Sequence, residues 1–364
     1  MWYFIIVTCS IGVIMAVIYM IICVGRFGLI KELSGGKRWI SIIISFTIIL
    51  FVLSTLTILI SALNALMIAL NTLFFFLLSA LAVKIIKCTT NKRFKINLQG
   101  WLALSVSVVY LLIGYYLCKN VWRTDYKITT KKEFGELNIA LISDSHIGTT
   151  FDGKGFAEHI KTIEKQSPDI LMIAGDYVDD LTKKKDMLDA CEALGKTNFK
   201  YGVWYIFGNH DEGFFHKRDF TAADLENALK NNGVHILLDN YELVDDRFFI
   251  VGRNDSSFKE RKDVDEVMKG IDDSKFIIML DHEPNDYANE AATAVDLVLS
   301  GHTHGGQFFP LTIMEEWLGI NDQTYGHKKI NGTDFIVTSG ISDGQIIFKT
   351  GTKSEYVMIN ISQE

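Results

Sequence analysis

Residues 39–83 form a run of 45 residues without a charged side chain. At about 1.5 Å of rise per residue this is roughly twice the ~30 Å apolar thickness of a bilayer, so the run is expected to fold as a hairpin of two spans turning near residues 61–64. Residues 2–24 are likewise uncharged, and residues 101–118 supply a fourth apolar stretch. Soluble core helices are shorter and carry a polar stripe, which these lack. The first run has no basic residue before it, against a secretory leader. The expectation is a four-helix transmembrane domain over residues 1–118 (about 2–24, 39–60, 64–83 and 101–118), a linker with the first strand over 119–136, and a second domain over 137–364.

The charge divides at the same place. Residues 1–133 carry a net charge of +11 and residues 134–364 a net charge of −18, which the whole-chain value of −7 conceals. Such asymmetry indicates two domains in different surroundings, and an acidic domain of this kind excludes nucleic acid, whose phosphates need Lys and Arg. Arg26, Lys31, Lys37 and Arg38 follow the first span; Lys84, Lys87, Lys92, Arg93 and Lys95 follow the third. By the positive-inside rule both loops are cytoplasmic, which places the acidic domain on the extracytoplasmic side of a multi-pass protein. Lys119, Arg123 and Lys127 run against this orientation without outweighing it. Cys191 is the one cysteine beyond the spans, so no internal disulfide is expected there.

From about Asp125 apolar runs alternate with amphipathic segments. "LNIALIS", "DILMIAG", "GVWYIFG", "FIIML" and "VDLVLSG" read as buried strands; "GFAEHIKTIEKQ", "KKDMLDACEALG", "DLENALKNNG" and "NDYANEAATA" read as helices. This alternation predicts an α/β domain with much parallel pairing. The strands are followed in turn by "SDSH" (Asp144, His146), "GD" (Asp176), "GNHD" (Asn209, His210, Asp211), "DHEP" (His282) and "GHTHGGQ" (His302, His304). Five of the nine histidines stand in these loops, where open α/β sheets bind ligands. Each motif alone is a common turn or a solvated loop; all five in order after five strands are not. Carboxylates, imidazoles and a carboxamide without thiolate suit two divalent ions such as Mn, Fe or Zn. Such a pair, sharing a bridging carboxylate and hydroxide, clamps an in-line displacement at phosphorus. Gly305 and Gly306 are expected to leave room for the turning backbone and a bulky phosphate ester.

These residues resemble the calcineurin-like metallophosphoesterases, whose pattern D-x-H, GD, GNH-D/E, H, GHxH is matched without a gap. The resemblance covers Asp125 to the C-terminus and implies a sandwich of two mixed β-sheets flanked by helices. It implies that Asp144, His146, Asp176 and His304 hold a first metal and Asp176, Asn209, His282 and His302 a second, with Asp176 bridging. It further implies that His210 protonates the leaving group and Asp211 orients it. "GHTHGGQ" with Pro310, and His282 with Pro284, look like the membrane-associated bacterial branch, which includes UDP-2,3-diacylglucosamine hydrolases and transmembrane proteins bearing a metallophosphoesterase domain. That branch has a "VRFG"-like strand near its C-terminus; here "QIIFKTG" offers Lys349 in place of a phosphate-contacting arginine.

His159 and His235 read as solvated, His216 as a loop residue with substrate contact as its alternative, and Asn71 as a hydrogen-bonding residue between helices. Phe215, Phe309 and Trp317, with other apolar residues of the 308–320 loop, are candidate contacts to a substrate or bilayer. The expected function is a membrane-tethered dinuclear phosphohydrolase cleaving a phosphoester or pyrophosphate of a lipid-linked substrate. The alternatives are a phosphatase or phosphodiesterase with a soluble substrate and a non-catalytic sensing or scaffolding module; a transporter lacks the intramembrane charge it would need.

Overall fold

The computed structural model describes residues 15–90, 96–213, 218–258 and 260–364. Residues 2–14 of the expected first span, Lys92, Arg93, Lys95, Phe215 and His216 lie outside them. The chain divides into two compact units, Met1–Ile113 and Gly114–Glu364.

The first unit contains helices α1 (Met15–Val24), α2 (Gly28–Leu33), α3 (Arg38–Leu59), α4 (Ala62–Thr90) and most of α5 (Leu98–Lys119). Among the described residues α3, α4 and α5 are long and apolar enough to cross a membrane. The break between α3 and α4 falls at Ile60 and Ser61, and the Ser61 hydroxyl accepts the Asn64 amide at 3.2 Å, which caps the new helix. α4 continues past residue 83 through Lys84 and Lys87, whose long stems can lie along the helix with their charges in water. Asn71 does not bond to another helix; its amide donates to Met67 O of its own helix at 2.9 Å.

Residues 114–119, the end of α5, belong to the second unit. A helix terminus leaves its last carbonyls without intrahelical partners. Here Gly114 O accepts from Lys349 N (3.0 Å), Leu117 O from Ser354 N (3.0 Å) and Cys118 O from Ser354 Oγ (2.8 Å). Strand β1 (Trp122–Thr130), within the stretch read as linker and first strand, begins three residues after the helix ends.

Two six-stranded mixed sheets build this unit. The first has the order β1-β12-β2-β3-β4-β5, with β2 (Glu136–Ile142), β3 (Ile170–Ala174), β4 (Val203–Ile206) and β5 (His235–Ile236) parallel to one another. β12 (Glu355–Gln363) pairs parallel with β1 and antiparallel with β2. The second has the order β10-β11-β9-β8-β7-β6, from β6 (Asn240–Val244), β7 (Phe248–Gly252), β8 (Phe276–Leu280), β9 (Leu297–Ser300), β10 (Gly326–Ile330) and β11 (Thr333–Val337). Leu137, Ile139, Leu141, Trp204 and Ile206 of one sheet meet Phe248, Ile278, Leu280 and Leu299 of the other in a continuous apolar layer. The opposite face of the first sheet is covered by α6 (Gly153–Glu164), α7 (Lys184–Gly195) and α8 (Ala222–Asn231), through Phe156, Ile160, Met187, Leu194 and Leu225. α9 (Val264–Val267) and α10 (Tyr287–Glu290) cover the second. The helix read from "NDYANEAATA" is thus a single turn, its following residues forming turns that lead into β9. Strands buried on both faces by sheet and helix explain the uninterrupted apolar runs in the sequence.

Candidate functional site

Each of the five motifs follows the carboxyl end of a strand with at least one parallel neighbour, three in one sheet and two in the other. β2 leads to Asp144 and His146, β3 to Asp176, β4 to Asn209, His210 and Asp211, β8 to His282, and β9 to His302 and His304. The backbone turns sharply to aim these side chains: Asp144, His146, Asp176, His302 and His304 all have φ between 37° and 69°. The left-handed region costs a residue with a Cβ about 1 kcal/mol or more, and concentration of such residues at one place marks a site where geometry is held against local preference. Glycines make the approach possible. A Cβ on Gly175 would stand 2.6 Å from His282 Nδ1, and one on Gly301 would strike Asp144 Oδ2 at 2.5 Å. Gly305 and Gly306 have positive φ as expected, but a Cβ there would collide with Thr352, Ser339 and Thr312. Their missing side chains make room for the protein itself, not for an ester.

The donor atoms converge in two adjoining groups. In one, His146 Nε2 lies 3.3 Å from His304 Nε2, which is 3.6 Å from Asp144 Oδ1. In the other, Asn209 Oδ1 lies 3.2 Å from His282 Nε2 and 3.1 Å from His302 Nδ1, and the two ring nitrogens are 3.3 Å apart. Asp176 Oδ2 stands between them, 3.7 Å from His146 Nε2 and 3.3 Å from His282 Nε2. Metal–ligand bonds of about 2.0–2.2 Å place neighbouring ligand atoms about 3.0–3.5 Å apart, the spacing found here. The tautomer fits too: His282 Nδ1–H donates to Ala174 O at 2.7 Å, so that in the neutral ring the lone pair is on Nε2.

Electrostatics point the same way. Burial opposes a charge on His146 and His282. Even so, carboxylates hold both up: Asp179, Asp176 and Asp144 put His146 at about 9, and Asp176, Asp144 and Asp255 hold His282 well above the ordinary imidazole range. Asp176, although buried, is held well below the usual carboxylate range by His282 and His146. Carboxylates that draw positive charge this strongly into a buried place make a cation site. Burial lowers His302, with His282 adding to the effect.

His210 is next to this centre, with its ring 4.9 Å from that of His146 and its own amide donating to Asp176 Oδ1 at 2.9 Å. Burial lowers its pKa. Asp211 does not serve it in the expected way. The Asp211 carboxylate accepts from the amides of Tyr177 (2.9 Å), Val178 (3.1 Å) and Gly208 (2.8 Å), so it braces the two loops. Burial and Asp176 push it up to about 6. The carboxylate beside the His210 ring is Asp179, whose Oδ1 is 3.8 Å from His210 Nδ1 and whose Oδ2 is 3.5 Å from His146 Nδ1. "GDYVDD" contains Asp179 three residues after Asp176, but nothing in that string separates it from Asp180.

Lys349 also departs from expectation. It is fully buried, 2.9 Å from Asp343 Oδ1, and its ammonium donates to Ser339 O at 2.6 Å. It has no surface with which to meet a phosphate. Phe309 and Trp317 are exposed, on and beside α11 (Leu311–Trp317), whereas Phe308 is buried. Phe215 is outside the described residues. His235 is exposed, as expected, and stacks on Trp204 at 4.2 Å; His159 is half-buried against Phe151, and His327 Nε2 lies 2.8 Å from Asp334.

A family model described as calcineurin-like phosphoesterase matches residues 137–306. An uncharacterized metallophosphoesterase of Aquifex aeolicus is 34% identical over 249 residues, covering 65% of this chain and 90% of that protein. One from Campylobacter jejuni, Cj0846, is 29% identical over 305 residues, covering 79% and 78%. A transmembrane protein with metallophosphoesterase domain from Danio rerio is 29% identical over 195 residues, covering 49% of this chain and 42% of its own length. With its motifs joined in one cation centre and its sequence shared along nearly the whole Aquifex protein, the chain belongs to the calcineurin-like metallophosphoesterases, hydrolases of phosphoesters that use two divalent metal ions.

Proposed function

We propose that the protein is a membrane-tethered phosphohydrolase with a dinuclear centre that acts on a lipid-linked phosphoester or pyrophosphate. Asp144, His146, Asp176 and His304 hold one ion, and Asp176, Asn209, His282 and His302 the other. The ions supply a water of lowered pKa and Lewis-acid stabilisation of the phosphoryl oxygens. The chain supplies the proton: His210, more exposed than the buried groups around it, presents Nε2 to the leaving oxygen while Asp179 faces its Nδ1.

The observation that carries the lipid reading is the apolar surface that follows the last two ligands. Phe309, Ile313, Trp317, Leu318 and Ile320 are all at least 60% exposed, in a unit whose other large side chains are mostly buried. This segment is fixed to the centre, since Thr312 Oγ1 donates to Gly305 O at 2.9 Å. It is also beside the end of α5: Gln307 O accepts from Thr350 N (2.8 Å) and Gly351 N (3.2 Å), in the segment that caps the α5 carbonyls. An aromatic and aliphatic patch next to an apolar helix end suits the bilayer interface.

Replacing Phe309, Trp317 and Leu318 together by serine is expected to slow hydrolysis of a lipid phosphoester in vesicles about tenfold or more, with a small chromogenic ester hydrolysed as before. Equal loss on both substrates, or loss on neither, makes a soluble substrate the better reading. The basic loops after the first and third spans favour an extracytoplasmic catalytic unit. Protease added to cells with a permeabilised outer wall then digests that unit; protection until lysis places it in the cytoplasm.

A further inference from the structure

A lysine with no exposed surface needs an explanation, because a buried ion pair is often no more stabilising than an apolar pair of similar volume. Lys349 and Asp343 are both completely buried, and Nζ lies 2.9 Å from Oδ1. That same oxygen faces His304 Nδ1 at 3.4 Å, while the other ring nitrogen of His304 faces His146 and Asp144. The arrangement has counterparts within the centre. His146 turns Nε2 inward with Nδ1 against Asp179, and His282 turns Nε2 inward with Nδ1–H on Ala174 O. In each of the three histidines that present Nε2, the outer nitrogen is set against an acceptor. Only for His304 is that acceptor itself held by a buried cation, which is in turn fixed by Ser339 O and, through its backbone amide, by Gly114 O.

We infer that Asp343 and Lys349 are positioning residues for the metal centre: Lys349 fixes the Asp343 carboxylate, and Asp343 accepts the Nδ1 proton of His304 so that Nε2 is aimed inward as a lone pair. The inference rests on the reading of His304 as a ligand. Outer partners of this kind set the ring's orientation and basicity, and their loss weakens metal affinity by about ten- to a hundredfold.

The test uses the full-length protein in detergent, stripped of metal and titrated with Co(II), followed by visible absorbance and by calorimetry. Asp343→Asn and Lys349→Met are expected to weaken one of the two binding steps by roughly ten- to a hundredfold and to shift its absorption band, leaving the other step unchanged. Lys349→Arg, which keeps a cation beside Asp343, restores part of the affinity. If a single variant does not fold because one buried charge is left alone, Asp343→Asn combined with Lys349→Met removes both charges, and the weakened step persists. Native affinity and spectrum in Asp343→Asn, or in the double variant, overturns the inference and leaves the pair as packing. His304→Ala separates the two layers: two unperturbed binding steps in that variant remove His304 from the ligand set, whatever Asp343 does.

Discussion

The two units differ in what they leave exposed: the first buries a few apolar side chains, Phe75, Phe76 and Val83 among them, but exposes most of the rest. In the first, α3 buries a single residue, Ser45, while Phe51, Ile58 and Leu59 stand outward; Asn64, Ser79 and Ser107 are likewise buried among exposed isoleucines and leucines. In the second, Leu, Ile and Phe fill the space between sheets and helices, and the polar groups buried with them include those of the cation centre and the Arg253–Asp281–Glu290 ion pairs. Which side chains face outward follows from the solvent each surface meets, since hydrocarbon rewards apolar contact and small polar groups turn inward, as Ser107 does to donate to Ala103 O of its own helix at 2.7 Å. The 308–320 segment is then the informative exception, a part of the acidic unit that follows the first unit's rule.

The comparison is broken most severely at the centre of the catalytic unit. Asp176 lies between both ligand groups, so Asp176→Asn is expected to lose bound metal and to lower hydrolysis by about a thousandfold or more. Elemental analysis of the purified variant beside its rate checks this. Retained metal with full activity would remove Asp176 from the bridging position. His210→Ala should act differently, retaining both ions while hydrolysis falls by about a hundredfold. Equal loss of metal in that variant would make the residue structural.

A smaller, graded effect follows from pH. His146 in the metal-stripped protein binds its proton up to about pH 9, and His282 is also held above its ordinary value. A metal ion must displace those protons, so apparent affinity rises with pH and falls in acid, by about tenfold per pH unit for each proton displaced. Manganese titrations between pH 6 and 8 measure the slope; a flat profile shows that the rings are already neutral and that the carboxylates charge them less than their positions indicate.

Much of the candidate centre was legible because its residues are uncommon types at strand ends, where position along the chain and position in space coincide. Asp144, His146, Asp176, Asn209, His282, His302 and His304 stood out through the apolar runs before them, and the resemblance to a family proposed them as ligands. The supporting groups were illegible for the converse reason. Asp179 and Asp343 are ordinary acidic residues in polar loops, and Lys349 read as a stand-in for a phosphate-contacting arginine until its surroundings were known. The turn geometry was hidden as well, because five non-glycine residues with positive φ leave no trace in composition. β1 falls within the stretch read as the first strand, whereas β12 escaped notice, since its partner β1 is half-exposed and more than two hundred residues away. α4 outran its apolar stretch because lysine is a good helix former, so the end of hydrophobicity did not end the helix.

The finest test of the comparison uses one residue type in two settings. Trp204 is 1% exposed, lies between the sheets with Ile206 and Phe248, stacks on His235 and donates its indole N–H to Tyr201 O at 2.7 Å. Trp317 is 84% exposed at the end of α11. Removing the first empties a cavity in a close-packed layer, and Trp204→Ala is expected to cost about 3–5 kcal/mol. Removing the second withdraws apolar surface that the folded catalytic unit does not bury, so Trp317→Ser should change stability in detergent by less than about 0.5 kcal/mol. If the patch serves the bilayer, its cost appears elsewhere: the same Trp317→Ser protein, reconstituted in vesicles, should show weaker protection of this segment from protease than the parent. A substantial loss of stability in detergent would mean that Trp317 packs against the protein after all, and the segment would then obey the catalytic unit's rule and lose its claim to a lipid surface.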